Sequence, residues 1–409
     1  MNEHASATLA APEARRVTNF ELLFDLVFVF GFTQVTGVMI GGHAADGRAA
    51  LPVLQALTVL GLLWGLWTSF GWFSNQTRAD GAQLRLGLAL AMVLIFVLAL
   101  AIPTALHDVG GDPLPAVLIV VCYFLVRVLH ITLLLRTAGG NAALRQQTIR
   151  NNISLPLTIA LLVLGALLGG PAQAWIWFAA AVLDAGIIAV RSRGGAWRIQ
   201  SASHWAERFN LVVILALGES VVSIGVGVAS EPLVWQVIAG SVLAITGAIT
   251  LWWLYFHKIS RGAERALAGR SGSDRLRAAT IGYTYLHYLI VSGIVLTATG
   301  IEQTMHEISS AEPLGWFGAT ALAGGVSLYL AGTVFFWRRM TSEWLVLRLA
   351  VATALLPGIV IAALLPAMAS LVIAVVVGIA LNVLEARLPR HAGAGAHEMQ
   401  KNPSSAAVD

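Results

Sequence analysis

Apolar residues run through this chain in stretches of about 20, separated by short polar breaks, the length a bilayer-spanning helix needs and a globular core does not. Reading those runs predicts twelve helices, near 19–40, 51–73, 84–106, 114–136, 153–170, 173–190, 207–228, 234–257, 280–301, 314–337, 345–365 and 367–387. Two of the breaks consist of little more than a proline. Pro171 separates spans five and six, and Pro366 separates spans eleven and twelve. Each of these pairs reads either as two crossings or as one kinked or re-entrant element.

Loop charges test the count. The N-terminus and every second loop carry nearly all the cations: Arg15 and Arg16, Arg78 and Arg85, Arg136, Arg145 and Arg150, and Arg191, Arg193 and Arg198. The series continues through Lys258, Arg261, Arg265, Arg270, Arg275 and Arg277, then Arg338 and Arg339, to Arg387, Arg390 and Lys401. The opposite loops hold Arg48 and the acids Asp46, Asp108, Asp112, Glu231, Glu302, Glu307 and Glu312. Positive loops stay in the cytoplasm, so both termini are expected inside.

Composition agrees. Of 409 residues, 57% are hydrophobic and only 11% charged, with a net charge of +4. So few charges cannot clothe a soluble surface, which excludes a soluble enzyme and a disordered chain. The expected fold is all-α: a polytopic membrane helix bundle of about twelve transmembrane helices. Its parts are a cytoplasmic segment 1–18, a first six-helix half 19–200, a second half 201–388 and a disordered cytoplasmic tail 389–409. The polar N-terminus has no cleavable signal pattern, and the first span reads as retained.

The two halves look like a tandem repeat. A shift of 185 residues lays Phe24–Gln34 over Phe209–Glu219 and Trp67 over Trp252. A further shift of 16 places VLDA (Val182–Ala185) on VLEA (Val383–Ala386). Six spans per unit would give both halves the same orientation, with a pseudo-two-fold axis along the membrane normal.

Ionisable residues inside spans carry the candidate chemistry, because a charge in the middle of a span costs about 2.5–3.5 kcal/mol and needs a partner, a cavity or water. Glu21 and Asp25 share one face of span one. Tyr123, Arg127 and His130 form a stripe on span four, and Asp184 lies in span six. Asp25, His130 and Asp184 all fall roughly 9 Å from the cytoplasmic edge. Arg127 can pair with Asp25 or with Asp184, either as a lock on helix packing or as part of a substrate or ion site. His204, Glu207 and Arg208 open span seven and read as capping or surface groups. Glu219, followed by Ser220, sits deeper with no cation at its level. It reads as an ion, proton or substrate group or as a structural hydrogen bond. His287, amid Tyr283, Tyr285 and Tyr288, reads as packing. The outer halves carry few charges, which suggests a cytoplasm-facing polar vestibule behind an apolar barrier.

Cys122 is the single cysteine, so no internal disulfide forms and no cysteine-built metal site is expected. There is no Walker-type phosphate loop, HExxH or CxxC, and GESVV around Ser220 lacks the second glycine of GxSxG. No cofactor, metal or catalytic residue is expected, and ATP-driven pumping by this chain alone is excluded. The longest internal loop, Lys258 to Ala279, is expected to lie on the membrane surface.

Three segments resemble the bacterial low temperature requirement A family: FELLFDLVFVFGFTQVTG in span one, WFSNQTRAD (Trp72–Asp80) after span two, and HWAERFNLVVILALGESVVSIG in span seven. The positions carried over are Glu21, Phe24, Asp25, Gln34, Asn75, Asp80, His204, Glu207, Arg208, Glu219 and Ser220. Leu23 stands where the family pattern often has Phe, and Gly31 where it often has Ala; neither touches a polar position. The resemblance implies a multi-pass inner-membrane protein, and the family's name records a growth phenotype, not a reaction. Phe24–Phe28 and Thr33 are also similar to the FSDxVFAxxxT first helix of the six-span-repeat potassium channels of lysosomes and bacteria.

Three functions fit. The first is a secondary transporter or permease for an ion or small solute, with Glu21, Asp25, Gln34, Arg127, His130, Asp184, Glu219 and Ser220 along its path. The second is a cation channel with helices one and seven lining the pore. The third is a non-transporting scaffold in envelope or cold-stress adaptation; a membrane enzyme ranks below all three. The expected partners are the lipid bilayer and the small solute or ion, with a homodimer as a further option. No basic run interleaved with aromatics is present, so no nucleic acid is expected.

Overall fold

A computed structural model describes residues 16–46, 50–76, 82–107, 112–192 and 198–387. Asp80, the tail 389–409 and most of the N-terminal segment lie outside the described residues. Among those described there are helices and no strands, and twelve helices are long and apolar enough to cross a bilayer. They are α1 (Asn19–Gly42), α2 (Ala50–Gln76), α3 (Arg85–Leu106), α4 (Leu114–Ala138), α5 (Ala142–Leu168) and α6 (Gly170–Arg191). Then follow α7 (Ala202–Gly227), α8 (Trp235–Ala268), α9 (Gly272–His306), α10 (Gly315–Thr341), α11 (Val346–Leu364) and α12 (Ala367–Arg387).

Both proline breaks separate distinct helices. At the first, Gly169 and Gly170 take φ of +66° and +52°, a turn that L side chains rarely adopt, and the chain reverses. Trp177 of α6 folds back to donate its Nε1–H to the Leu162 carbonyl of α5 at 2.8 Å. At the second, α11 ends at Leu364 and α12 starts just after Pro366.

The cytoplasmic loop of the sequence reading is a correction. Helix α8 continues past its apolar run through a π-helical turn, Tyr255–Ile259, to Ala268, and α9 already begins at Gly272. Hydropathy stops at the first arginines, but helical hydrogen bonding does not. Ala263 and Leu267 are fully buried against α7 and α10, so this segment packs on the bundle.

Helix α9 sits at the centre, against α1, α2, α7, α8, α10 and α12. Its sequence explains why. Ser292, Gly293, Thr297, Ala298, Thr299 and Gly300 are small and all buried, so neighbouring backbones come close. A Cβ at Gly300 would strike the backbone of α10 at Leu322, and one at Gly325 would strike α9 at Thr297. Helices α11 and α12 instead present Leu356, Val360, Ile361, Leu364, Val376 and Ile379 outward, the aliphatic faces expected of lipid-facing helices.

The neighbour order within the first six helices recurs within the last six. Helix α1 packs on α2 and α3, α3 on α4, α2 on α4 and α6, α4 on α5, and α5 on α6. Adding six to each number gives pairs that also pack. The halves meet where α1 and α2 touch α7 and α9. Helices α1 and α7 run side by side in the same direction: Asp25 meets Arg208, and further along Thr33 meets Glu219.

Candidate functional site

Three polar clusters stand inside the bundle. The first joins α1, α2 and α7 at the end of the bundle where α1 and α7 begin. Thr18 and Glu21 form a capping box at the start of α1: Glu21 Oε2 accepts from the Thr18 amide at 2.9 Å and its hydroxyl at 3.0 Å, and the Glu21 amide donates to Thr18 Oγ1 at 3.3 Å. Glu21 Oε1 lies 3.3 Å from His204 Nε2 and 3.8 Å from Arg208 Nη1. Glu207 accepts from the Val17 amide at 3.1 Å, which ties the entry of α1 to α7. One turn deeper, Asp25 Oδ1 accepts from Arg208 Nη2 at 2.8 Å and from Trp67 Nε1 at 2.8 Å, with the guanidinium over the Trp67 ring at 5.4 Å. Phe24, packed on Phe28 and Phe70, seals one side.

Arg208 is therefore no surface group. It is 1% exposed and binds the two halves together. The spacing of the charges along α7 alone placed it at the water; the parallel approach of α1 puts it under cover. His204 is also fully buried. Beside this cluster, Asn75 closes the end of α2 onto the segment that enters α7: it accepts from the Gln200 amide at 2.9 Å and donates to the Ser201 carbonyl at 3.3 Å.

The second cluster joins α4, α5 and α6. Arg127 Nη1 donates to Asp184 Oδ2 at 2.7 Å and to the Tyr123 hydroxyl at 2.9 Å, while its Nη2 donates to Asn152 at 3.0 Å. The Ser154 hydroxyl donates to Asp184 Oδ1 at 2.6 Å. Of the two pairings open to Arg127, the structure forms the one with Asp184. His130 stands apart, its Nε2 3.0 Å from the Ser69 carbonyl of α2 and its ring against Phe70 and Phe73. His287 is likewise held, by the Tyr255 hydroxyl at 2.8 Å and the Gly282 carbonyl at 3.2 Å.

The second half has a matching pair that sequence reasoning missed. Arg348 of α11 donates to both oxygens of Glu385 of α12, at 2.8 and 2.6 Å, and to Thr333 of α10 at 3.1 Å. Glu385 is the acid of VLEA, the segment aligned with the VLDA of Asp184, so the signal was present. The cations differ in origin: Arg127 comes from the fourth helix of its half and Arg348 from the fifth.

The third cluster lies farther along the α1–α7 seam, where α9 joins it. The Thr33 hydroxyl donates to Glu219 Oε2 at 2.7 Å. Glu219 Oε1 and the Ser220 hydroxyl are buried with no hydrogen-bond partner, and the buried Thr36 hydroxyl faces the same carboxyl group. One turn on, the Ser223 hydroxyl donates to Glu302 Oε2 at 3.3 Å, and Glu302 is half-buried. Among the described residues no cation pairs with Glu219 or Glu302. Gln34 is half-buried and bonds to none of these groups. Thr36 was not singled out from the sequence, Thr33 entered only through the channel likeness, and Glu302 was read as a loop acid whereas it lies within α9.

No open vestibule reaches these groups in this conformation. Asp25, Arg127 and Glu219 are each 1–2% exposed. A cavity of about 40 Å³ lies elsewhere, among α8 to α12, lined by Leu251, Thr250, Ile301, Leu330 and Val375 and by none of the charged residues. Among the described residues no group of three or more His, Cys, Asp or Glu side chains could hold a metal ion.

The model of one protein family, described as bacterial low temperature requirement A protein (LtrA), matches residues 16–383. The chain is also similar to an uncharacterized protein, RA0937, of Rhizobium meliloti (strain 1021). The two are 29% identical over 334 residues, a stretch that covers 78% of this chain and 76% of that protein.

Proposed function

The chain belongs to the bacterial low temperature requirement A family, and on that premise we propose that it is a secondary transporter or permease for an ion or small solute, seen closed on both sides. The observation that carries this reading is Glu219, a carboxyl group 1% exposed with one oxygen unpartnered and no cation beside it. Purely structural acids in membranes find a partner, as Asp184 and Glu385 do here. An acid left without one suits a group that takes up and releases something mobile.

The Asp25–Arg208 and Arg127–Asp184 pairs serve in this reading as locks that hold the helices around the path. Phe24, Phe28 and Phe32, one helical turn apart and each buried, fill the stretch of α1 between the Asp25–Arg208 pair and Glu219. That closure favours a carrier over an open pore. The recurring neighbour order supports a six-plus-six duplication, with α1 and α7 as equivalent helices. We place the protein in the bacterial inner membrane with both termini cytoplasmic, acting without a cofactor and without catalysing a reaction. The lipid bilayer and the transported solute are its partners, and no nucleic acid is.

The test is flux. Full-length protein in proteoliposomes, loaded with the pH dye pyranine and given sodium, potassium and proton gradients in turn, is expected to show saturable, counterflow-stimulated exchange that Glu219→Gln abolishes without loss of folded protein. Single-channel current would support the channel reading instead. Leak equal to that of empty vesicles under every gradient would leave the scaffold.

A further inference from the structure

We infer that Glu219 and Glu302, with the hydroxyls of Thr33, Thr36, Ser220 and Ser223, form a site for a partly dehydrated alkali-metal cation, entered from the face opposite the termini. This deepens the transport reading, and rests on it for what the bound ion is for.

The chemistry comes first. Two carboxyl groups from α7 and α9 stand within electrostatic reach of one another. The Glu219 carboxyl is held by Thr33 on one oxygen only, and its other oxygen is buried and unpartnered. Ser220 Oγ is buried and unpartnered as well, and the buried Thr36 hydroxyl faces the same carboxyl group. A buried oxygen without a donor or a cation loses its hydration and gains nothing in return. A hard cation with oxygen ligands supplies that interaction. The basic side chains nearest along these helices do not: Arg208 and His204 are engaged in the first cluster, His287 is held by Tyr255 and Gly282, and His306 is exposed at the end of α9.

Charge count selects the valence. A divalent ion bound by protein groups draws on several acids, or keeps a shell of water that needs room. Here only two acids face the site, and the described residues contain no cluster of three potential metal ligands. Two carboxyl groups and four hydroxyls suit a single charge.

The route is equally specific. Glu219 is sealed, while Glu302 is half-buried near the outer end of α9. Ser223, one turn beyond Glu219 on α7, already bonds Glu302 and so links the two acids. Gly227 lets α9 come this near: a Cβ there would lie 2.6 Å from the Glu302 carbonyl oxygen. Among the described residues the loops on that face carry Asp112, Glu231, Glu307 and Glu312, a field that concentrates cations at the entrance.

Binding is read directly on the full chain in nanodiscs, by thermal unfolding followed through tryptophan fluorescence. Sodium or potassium chloride replaces choline chloride at constant ionic strength, with calcium and magnesium as further arms. The expected result is a saturable rise in unfolding temperature with at least one alkali cation. Glu219→Gln abolishes it, Glu302→Gln and Ser223→Ala each raise the half-saturating concentration about tenfold, and Glu343→Gln, exposed in the loop between α10 and α11 on the opposite face, leaves it unchanged. The Ser223→Ala variant keeps the test decisive if a glutamine variant does not fold. A response equal in choline and alkali salts, or one that survives Glu219→Gln and Glu302→Gln, overturns the inference. So does a response to calcium or magnesium alone, or to pH alone, the mark of a proton site. Alkali-ion binding without flux would defeat the transport reading and leave the site; flux with no alkali-ion binding would defeat the site and leave the transport reading.

Discussion

Arg208 reaches across from α7 to Asp25 of α1 at 2.8 Å, and Trp67 of α2 donates to the same carboxyl oxygen. The first helices of the two halves are thus joined through a buried Arg208, which also lies 3.8 Å from Glu21. Removing one partner strands the other in a dry interface. Arg208→Ala is expected to destabilise the protein by about 3–5 kcal/mol, read as the unfolding midpoint in detergent. The double variant Asp25→Asn with Arg208→Met should be more stable than Arg208→Ala alone, because Asp25 is then neutral, while Glu21 keeps its bonds to Thr18.

Arg348 grips Glu385 through Nε and Nη2 together, a fork that a lysine cannot reproduce. Arg348→Lys is expected to cost about 1.5–3 kcal/mol in thermal unfolding. Combined with Glu385→Gln, the loss should fall short of the sum of the single variants, since both remove one interaction. A fully additive result would mean that the pair is not formed in the membrane.

The seam between α9 and α10 tolerates no side chain at its glycines. Gly300→Leu pushes into the backbone around Leu322, whereas Gly37 has open space beside it. Gly300→Leu is expected to abolish the monodisperse peak in size-exclusion chromatography, and Gly37→Leu to leave it intact. Equal behaviour of the two variants would contradict the packing.

Orientation is checked by labelling. In a Cys122→Ser background, a cysteine placed by Ser309→Cys is expected to react with a membrane-impermeant maleimide in intact cells. One placed by Arg265→Cys should react only after the membrane is opened. Both positions are exposed on the protein, so the membrane alone distinguishes them. The reverse pattern would invert the topology.

The clusters differ in how legible they were. Asp184 declared itself as an acid in an apolar run, and depth alone brought Arg127 to its level, but depth could not choose between Asp184 and Asp25. That choice belongs to helix neighbours, since α4, α5 and α6 pack together while Asp25 faces α7. Arg208 was misjudged because its position on α7 looks wet until α1 is laid beside it. Thr36 carried no signal of its own, Thr33 only a motif likeness and Glu302 only a loop charge; they come together because α1, α7 and α9 run in parallel around Glu219.

Span number, helix length and the alternation of loop charge were all readable from the chain, because each is a local property: how many apolar residues follow one another, and which sign flanks them. Partner choice was not, because it depends on which faces meet and how each helix is rotated about its axis. Those angles are set by packing, above all by the small residues of α9 that draw α7 and α10 onto it. Acids inside spans thus supply both the locks and, at Glu219, the fully buried acid that has no cation among the described residues, and only their arrangement in space separates the two.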